Sequence, residues 1–302
     1  MFVLAHLSDP HLAPLPTPRL ADLAGKRVLG WLHWRRTRHK IHRAEQVDLL
    51  VRDLKAQAPD HVAVTGDLVN IALEAEFPQA RAWLHGVGAP HDVTLVPGNH
   101  DAYVRPALAA HAAHWHEFMR GDDAAAPAPH FPFVRRRGPL ALIGLSSAVA
   151  TAPFMATGRL GAEQIARLED LLARLAGQFR VVLIHHPPGR TRGGRFKRLT
   201  DAAALRAALE RRGAELVLHG HDHVHALDWL AGPRGPIPAL GVPSASAAMV
   251  DGHHVEPAAY NLYRIDGSAG AWRCEALSRG FRAGTDRIVE LNRQELKIAR
   301  LR

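Results

Sequence analysis

The chain predicts a layered α/β fold, and three observations carry that reading. Up to residue 223, short β-rich apolar runs alternate with segments whose apolar residues recur at helical spacing. Five polar clusters each follow directly on an apolar run, where an open α/β sheet presents its loops. From Ala226 onward the pattern changes to short strands alone.

The elements follow in order. Residues 2–7 predict a buried strand that runs into Asp9, and 25–43 form a basic insertion. Residues 44–57 carry Ala44, Val47, Leu50, Val51 and Leu54 on one helical face, and Pro59 punctuates them. A strand over 61–65, a helix over 74–87 and a strand over 92–96 come next, the last leading into Pro97 and Gly98. Residues 107–120 predict a helix, and the Ala- and Pro-rich stretch 121–132 a surface loop. Residues 133–136 and 140–145 read as a hairpin around Gly138 and Pro139. An amphipathic helix over 165–175, a strand over 181–184, a helix over 205–211 and a strand over 216–218 complete the alternation. Strands over 227–230, 238–242, 260–265 and 272–277 follow, and 286–302 is expected as a basic helix or a loose end.

A length of 302 residues suits one large α/β domain or two small ones. The expected division is one domain over 1–285, interrupted by the insertion 25–43, and a basic tail over 286–302. Cys274 is the only cysteine, which excludes an intrachain disulfide and fits a reducing compartment. The N-terminus has no basic leader and runs straight into the first polar cluster, so no signal peptide is expected. No apolar run reaches the roughly 20 residues of a membrane-spanning helix. The expected location is therefore the cytoplasm. The formal charge of +9 favours anionic partners such as phosphorylated substrates, acidic lipids or nucleic acid.

The five clusters are Asp9-Pro10-His11, Gly66-Asp67, Gly98-Asn99-His100-Asp101, His185-His186 and Gly220-His221-Asp222-His223. They offer carboxylate and amide oxygens and imidazole nitrogens, and no thiolate. That donor set suits Mn, Fe or Zn rather than an iron–sulfur centre. Asp9 and His11 are two apart, as are His221 and His223, so in extended segments each pair projects to one face. Asp67 has two oxygens and can bridge two cations. Gly66 allows close backbone approach, and Gly220 permits a tight turn. With 21 histidines in the chain, any single one of these motifs is weak, and the ordered set of five is what points to a metal centre.

In order and spacing this set resembles the calcineurin-like metallophosphoesterase superfamily, with the family pattern complete over residues 2–225. The resemblance implies a four-layer α/β/β/α sandwich with a dinuclear metal site at the C-terminal ends of the strands. It assigns Asp9, His11, Asp67 and His223 to one metal and Asp67, Asn99, His185 and His221 to the other. His185 matches the ligand position better than His186, although a swap of the two stays open. His186 is then expected beside the ligands or facing substrate. The activity implied is hydrolysis of a phosphodiester or pyrophosphate bond by in-line attack of an activated water. Asn99 is expected to stabilise charge on the phosphoryl oxygens, and His100 to act as general acid or as a donor to the leaving oxygen. Asp101 is expected either to orient the His100 imidazole or to cap a helix N-terminus.

Two basic stretches bear on the substrate. The insertion 25–43 holds seven Lys or Arg and no acid, interleaved with Val28, Leu29, Trp31, Leu32 and Trp34. That character suits a membrane–water interface, and the alternative is a solvated helix whose tryptophans pack on the core. Peripheral contact with an anionic membrane face is expected there. The second stretch, 189–198, holds Arg190, Arg192 and Arg195 on a glycine-rich loop and is expected to clamp a phosphate or to be plain solvated loop. The histidine motifs are similar to bacterial cyclic-nucleotide phosphodiesterases, whereas the Trp-rich insertion resembles, in character only, UDP-diacylglucosamine hydrolases that act on lipid-linked pyrophosphates. A nuclease fits less well, since no aromatic stacking platform is evident. A non-catalytic scaffold of this fold should show a broken ligand set, and this one is intact.

Overall fold

The computed structural model describes residues 1–23, 25–123, 130–250, 255–282 and 287–299. Two six-stranded mixed sheets face each other. The first holds β1 (Phe2–Leu7), β2 (His61–Val64), β3 (Val93–Leu95), β10 (Ala259–Asp266), β11 (Arg273–Phe281) and β12 (Ile288–Leu296), in the order β12-β11-β10-β1-β2-β3. The second is built from β4 (Phe133–Arg137), β5 (Leu140–Gly144), β6 (Phe179–Leu183), β7 (Leu216–His219), β8 (Ala226–Leu230) and β9 (Ile237–Gly241), in the order β4-β5-β6-β7-β9-β8. Within them β1-β2-β3 and β5-β6-β7-β9 are parallel.

Strand alternation separates the layers. Leu140 and Leu142 of β5, Phe179, Val181 and Leu183 of β6, and Leu216 and Leu218 of β7 point into the core between the sheets. The residues between them, Ala141, Ile143, Val182 and Val217, point outward onto α6 (Ala162–Arg174) and α7 (Ala202–Arg212). Those helices answer with Ile165, Leu168 and Leu172, and with Leu205, Ala208 and Leu209. On the first sheet, α3 (Ala44–Ala56) contributes Val47, Leu50, Val51 and Leu54, and α4 (Glu76–Val87) contributes Phe77, Ala80, Leu84 and Val87. Asp53 of α3 is fastened to β10 and β11 by Tyr260 (2.6 Å) and Arg279 (2.8 Å). The result is the expected helix–sheet–sheet–helix stack, with α5 (Ala107–Trp115) packed against α4 through Phe77 and Trp115.

The insertion folds into α1 (Lys26–His33), a π-helical turn over Trp34–Arg38 and the short α2 (His39–Ile41). Trp34 is buried and stacks on His42, so one tryptophan does pack inward, while Val28, Leu29 and Leu32 stay exposed.

One expectation is corrected. Within the tail, Ile288–Leu296 is neither helix nor loose end but β12, which pairs antiparallel with β11 as an edge strand, while 286 and 300–302 lie outside the described residues. Its alternating Val289, Leu291 and charged residues suit a strand with one face in water. Part of the loop expected over 121–132, residues 124–129, lies outside the described residues.

The second sheet also contains an internal ion pair. The Arg180 guanidinium on β6, almost wholly buried, bonds Glu215 through Nε and Nη2 at 2.9 Å each and donates to the carbonyls of Leu172 and Arg212. It therefore ties β6 to both covering helices. Removing one partner leaves a buried charge uncompensated, so Glu215→Ala should cost about 3–5 kcal/mol in urea unfolding. A loss of under about 1 kcal/mol would show that the pair does not hold these layers together.

Candidate metal centre

The five clusters sit at the C-terminal ends of β1, β2, β3, β6 and β7 and meet where the two sheets come together. Backbone bonds fix the loops: Asp9 N–H donates to the Gly66 carbonyl (2.9 Å), and Gly220 N–H to that of His185 (3.1 Å). His221 N–H donates to Asp9 Oδ2 (3.0 Å), which joins the two sheets. A Cβ at Gly66 would collide with the Gly98 backbone, and one at Gly98 with Asp67, so these glycines serve close approach as expected. Gly220 opens the tight turn expected, its carbonyl accepting the Asp222 N–H (2.9 Å), and it also serves close approach, because a Cβ there would meet Ser8 and Asp9.

The reach of the paired ligands differs from the sequence reading. Asp9 (φ 53°), His11 (φ 37°), Asp67 (φ 55°), His221 (φ 72°) and His223 (φ 55°) all occupy the left-handed region. The pairs therefore converge through kinked loops and not through extended alternation. Left-handed non-glycine residues are uncommon and cluster where the surroundings force them.

The donor atoms form two groups around one carboxylate. In the first, His223 Nε2 lies 3.1 Å from Asp9 Oδ1 and 3.3 Å from His11 Nε2, and His11 Nε2 is 3.9 Å from Asp67 Oδ2. In the second, His185 Nε2 lies 3.3 Å from Asp67 Oδ2, 3.1 Å from Asn99 Oδ1 and 3.2 Å from His221 Nδ1. Atoms bound to one cation at about 2.0–2.2 Å stand roughly 3.0–3.5 Å apart, which all these spacings match except the 3.9 Å from His11 to Asp67. The outer nitrogens support the same reading. His11 Nδ1 donates to the Val69 carbonyl (3.2 Å), His185 Nδ1 to Thr65 (2.6 Å) and His221 Nε2 to Lys197 (2.8 Å). Each bond orients its ring and turns the inner nitrogen towards the other donors, the usual arrangement behind metal-bound imidazoles. The donor set therefore fits two divalent cations.

The electrostatics agree. Burial acts to raise the Asp9 carboxyl, but His223 and His185 outweigh it and bring its pKa down to about 2. Asp67 is driven lower still against burial, by His185 and His100. Burial would strip His185 of its proton, yet Asp67 and Asp9 raise its pKa to about 10. Positive charge is what this position demands.

The remaining expected residues fall out unevenly. Asp101 touches neither the His100 imidazole nor a helix start. Its carboxylate accepts the backbone N–H groups of Asp67 (2.8 Å), Leu68 (2.8 Å), Val69 (3.3 Å) and Gly98 (2.8 Å), stitching the β2 and β3 loops together. The His100 ring is held instead by the Asn70 carbonyl at Nδ1 and by Arg38, whose Nη1 donates to Nε2 at 3.1 Å. Burial and Arg38 bring the His100 pKa down to about 3. His185 has its inner nitrogen among the ligands. His186 has both nitrogens engaged, accepting from Ser147 Oγ (2.8 Å) and donating to the Ala156 carbonyl (3.1 Å), and it is fully buried, so it does not face substrate. Arg190, Arg192 and Arg195 are exposed, with Arg192 3.9 Å from Glu256 and Arg195 over the Phe196 ring. Among the described residues, two neighbours of the centre were missed: Arg38, and His42, which clusters with His11 and His223. Both lie in or beside the insertion, but no motif singles them out among its many basic residues.

A family model for calcineurin-like phosphoesterases matches residues 2–225. The chain belongs to the calcineurin-like phosphoesterase family. Among solved structures it is similar to a purple acid phosphatase from yellow lupin (Lupinus luteus) seeds, with a TM-score of 0.59 and 12% identity over 92% of this chain. It spans about half (51%) of that protein's length. It is also similar to a 5'-nucleotidase precursor from Thermus thermophilus, with a TM-score of 0.48 and 15% identity over 91% of this chain and 54% of that one. No curated protein matches the sequence. Membership supports a metal-dependent phosphohydrolase in broad class, and the family's sandwich is the fold observed.

Two outcomes follow from this geometry. A cation must displace the proton that His185 holds below pH about 10, so metal affinity should rise with pH. Adding Mn or Zn at neutral pH in weak buffer should release about one proton per chain. A pH-independent affinity with no proton release would contradict a protonated His185 in the metal-free chain. Asp101→Ala, which unfastens the ligand loops, should weaken metal binding or turnover by about 10- to 100-fold while the far-UV spectrum is kept. Wild-type metal affinity and rate in that variant would remove Asp101 from the centre.

Proposed function

We propose that the protein hydrolyses a phosphodiester or pyrophosphate bond at a pair of divalent cations, Mn, Fe or Zn. The observation that carries this reading is the doubled donor set sharing Asp67, with Asn99 and His100 facing an open cavity. Asp9, His11, Asp67 and His223 would hold one cation, and Asp67, Asn99, His185 and His221 the other. When bound, such a pair supplies Lewis acidity and an activated water. The chain's own residues do the rest. Asn99 lines the cavity with its amide, and Arg38, whose Nη1 also holds His100 Nε2, presents guanidinium N–H donors where charge builds on the phosphoryl oxygens. His100, its Nδ1–H held by the Asn70 carbonyl and its Nε2 by Arg38, would position that guanidinium.

A second reading narrows the substrate to a lipid-linked nucleotide pyrophosphate cleaved at an anionic membrane face. It is favoured by the cavity walls, which include Trp34 and Tyr103, and by exposed apolar residues among its lining, Leu29 at 37% and Phe154 at 85%. Among the described residues no helix is long and apolar enough to cross a membrane, so such contact would be peripheral. Release of UMP from UDP-2,3-diacylglucosamine in detergent would favour this reading, and cleavage of soluble diesters alone would remove it.

Mn-loaded protein should cleave bis-p-nitrophenyl phosphate. Asn99→Ala and His100→Ala should each lower kcat by about 10²–10³ without unfolding the chain. Wild-type turnover in either variant would sink this assignment of roles.

A further inference from the structure

The insertion places one guanidinium between the metal ligands and two cavities, and that guanidinium is only partly bonded. Other basic residues of the insertion serve its attachment. Lys26 donates to Thr151 Oγ1 (2.8 Å) and the Met155 carbonyl (3.0 Å), and Arg27 to the carbonyls of Ile71 and Ala72. Arg38, at the end of the π-helical turn, is different. Its Nη1 donates to His100 Nε2, while Nε and Nη2 are buried and meet no acceptor among the described residues. Nε–H and Nη2–H form the side-on fork with which arginine grips an oxyanion. A buried donor without an acceptor is destabilising, so the arrangement calls for an acceptor from outside the chain.

The surroundings say where that acceptor would sit. Arg38 lines a cavity of about 330 Å³ that reaches Asn99 and His100 and has apolar walls. It also lines a second, more polar cavity of about 590 Å³ that reaches His42 and His223 on the other side of the centre. A phosphate monoester has one substituent to house, and a disubstituted phosphate has two.

We propose that Arg38 is a phosphoryl-binding, specificity-determining residue. Its Nε–Nη2 edge takes the oxygens of the phosphoryl group at the centre and fixes the phosphorus between the two cavities, which receive the two arms of a diester or a substituted pyrophosphate. This rests on the phosphohydrolase reading above and deepens it by naming the residue that selects a disubstituted phosphate.

The test uses the Mn-loaded full chain, with inorganic phosphate as the binding probe. Phosphate is titrated calorimetrically into wild type, Arg38→Gln and Arg38→Lys, with metal content measured on the same samples. Both variants should keep the wild-type metal content. Arg38→Gln should bind phosphate at least tenfold more weakly, and Arg38→Lys should recover only part of that, since an ammonium cannot fork. Unchanged phosphate affinity with intact metal content would overturn the proposal and leave Arg38 as a prop for His100. In parallel, kcat and KM are measured for bis-p-nitrophenyl phosphate and p-nitrophenyl phosphate. Arg38→Gln should lower the diester-to-monoester ratio of kcat/KM at least tenfold, and equal losses on both esters would overturn the specificity role. A wild type that binds metal and phosphate but cleaves neither ester would defeat the hydrolase reading, while the phosphate titration would still decide Arg38. If Arg38→Gln does not fold, Arg38→Lys carries the same comparisons.

Discussion

A carboxylate with almost no access to water lies where the two sheets meet, and much of the architecture makes its charge tolerable. Asp67 is 2% exposed. One oxygen accepts the His100 N–H at 2.7 Å, and the other faces imidazoles from both sheets. An isolated buried carboxylate costs many kcal/mol unless it is paired or bound to metal. Here the compensation is assembled from β1, β2, β3, β6 and β7 at once, which is why the sandwich and the centre cannot be described apart. The parallel order of those strands brings all five loops to the same end.

The loops are not relaxed. Five of the seven expected ligands sit in left-handed backbone, at about 1–3 kcal/mol each. Buried strands on both sides hold them there, and Asp101 adds four N–H bonds across two loops. Burial and Asp67 together push the Asp101 carboxyl up to about 7, while the N–H donors of Gly98 and Val69 act the other way. Cations at the centre would oppose the Asp67 contribution. Cations there would therefore favour the ionised Asp101 that holds the loops.

The sequence made the ligands readable because each lies within a few residues of a strand end, in a compact polar cluster beside an apolar run. The four layers were readable for a related reason: period-two alternation on β5–β7 and helical spacing on α3 and α6 are local patterns. What was not readable depends on contacts between distant segments. The role of Asp101 appears only when the β2 and β3 loops lie side by side. Arg38 is one of seven basic residues in the insertion, and only the π-helical turn picks it out. The glycine-rich arginines Arg190 and Arg195 drew attention by composition, yet they project into solvent. β12 looked like a tail because its charged residues hide a strand that needs β11 as a partner.

The central claim is that Asp67 is shared by two cations, and counting and locating the ions tests it most directly. Purified chain stripped of metal, then titrated with Zn or Mn and analysed by elemental analysis and anomalous diffraction, should take up two ions per chain, with Asp67 contacting both. A single ion, or two ions of which only one touches Asp67, would contradict the account.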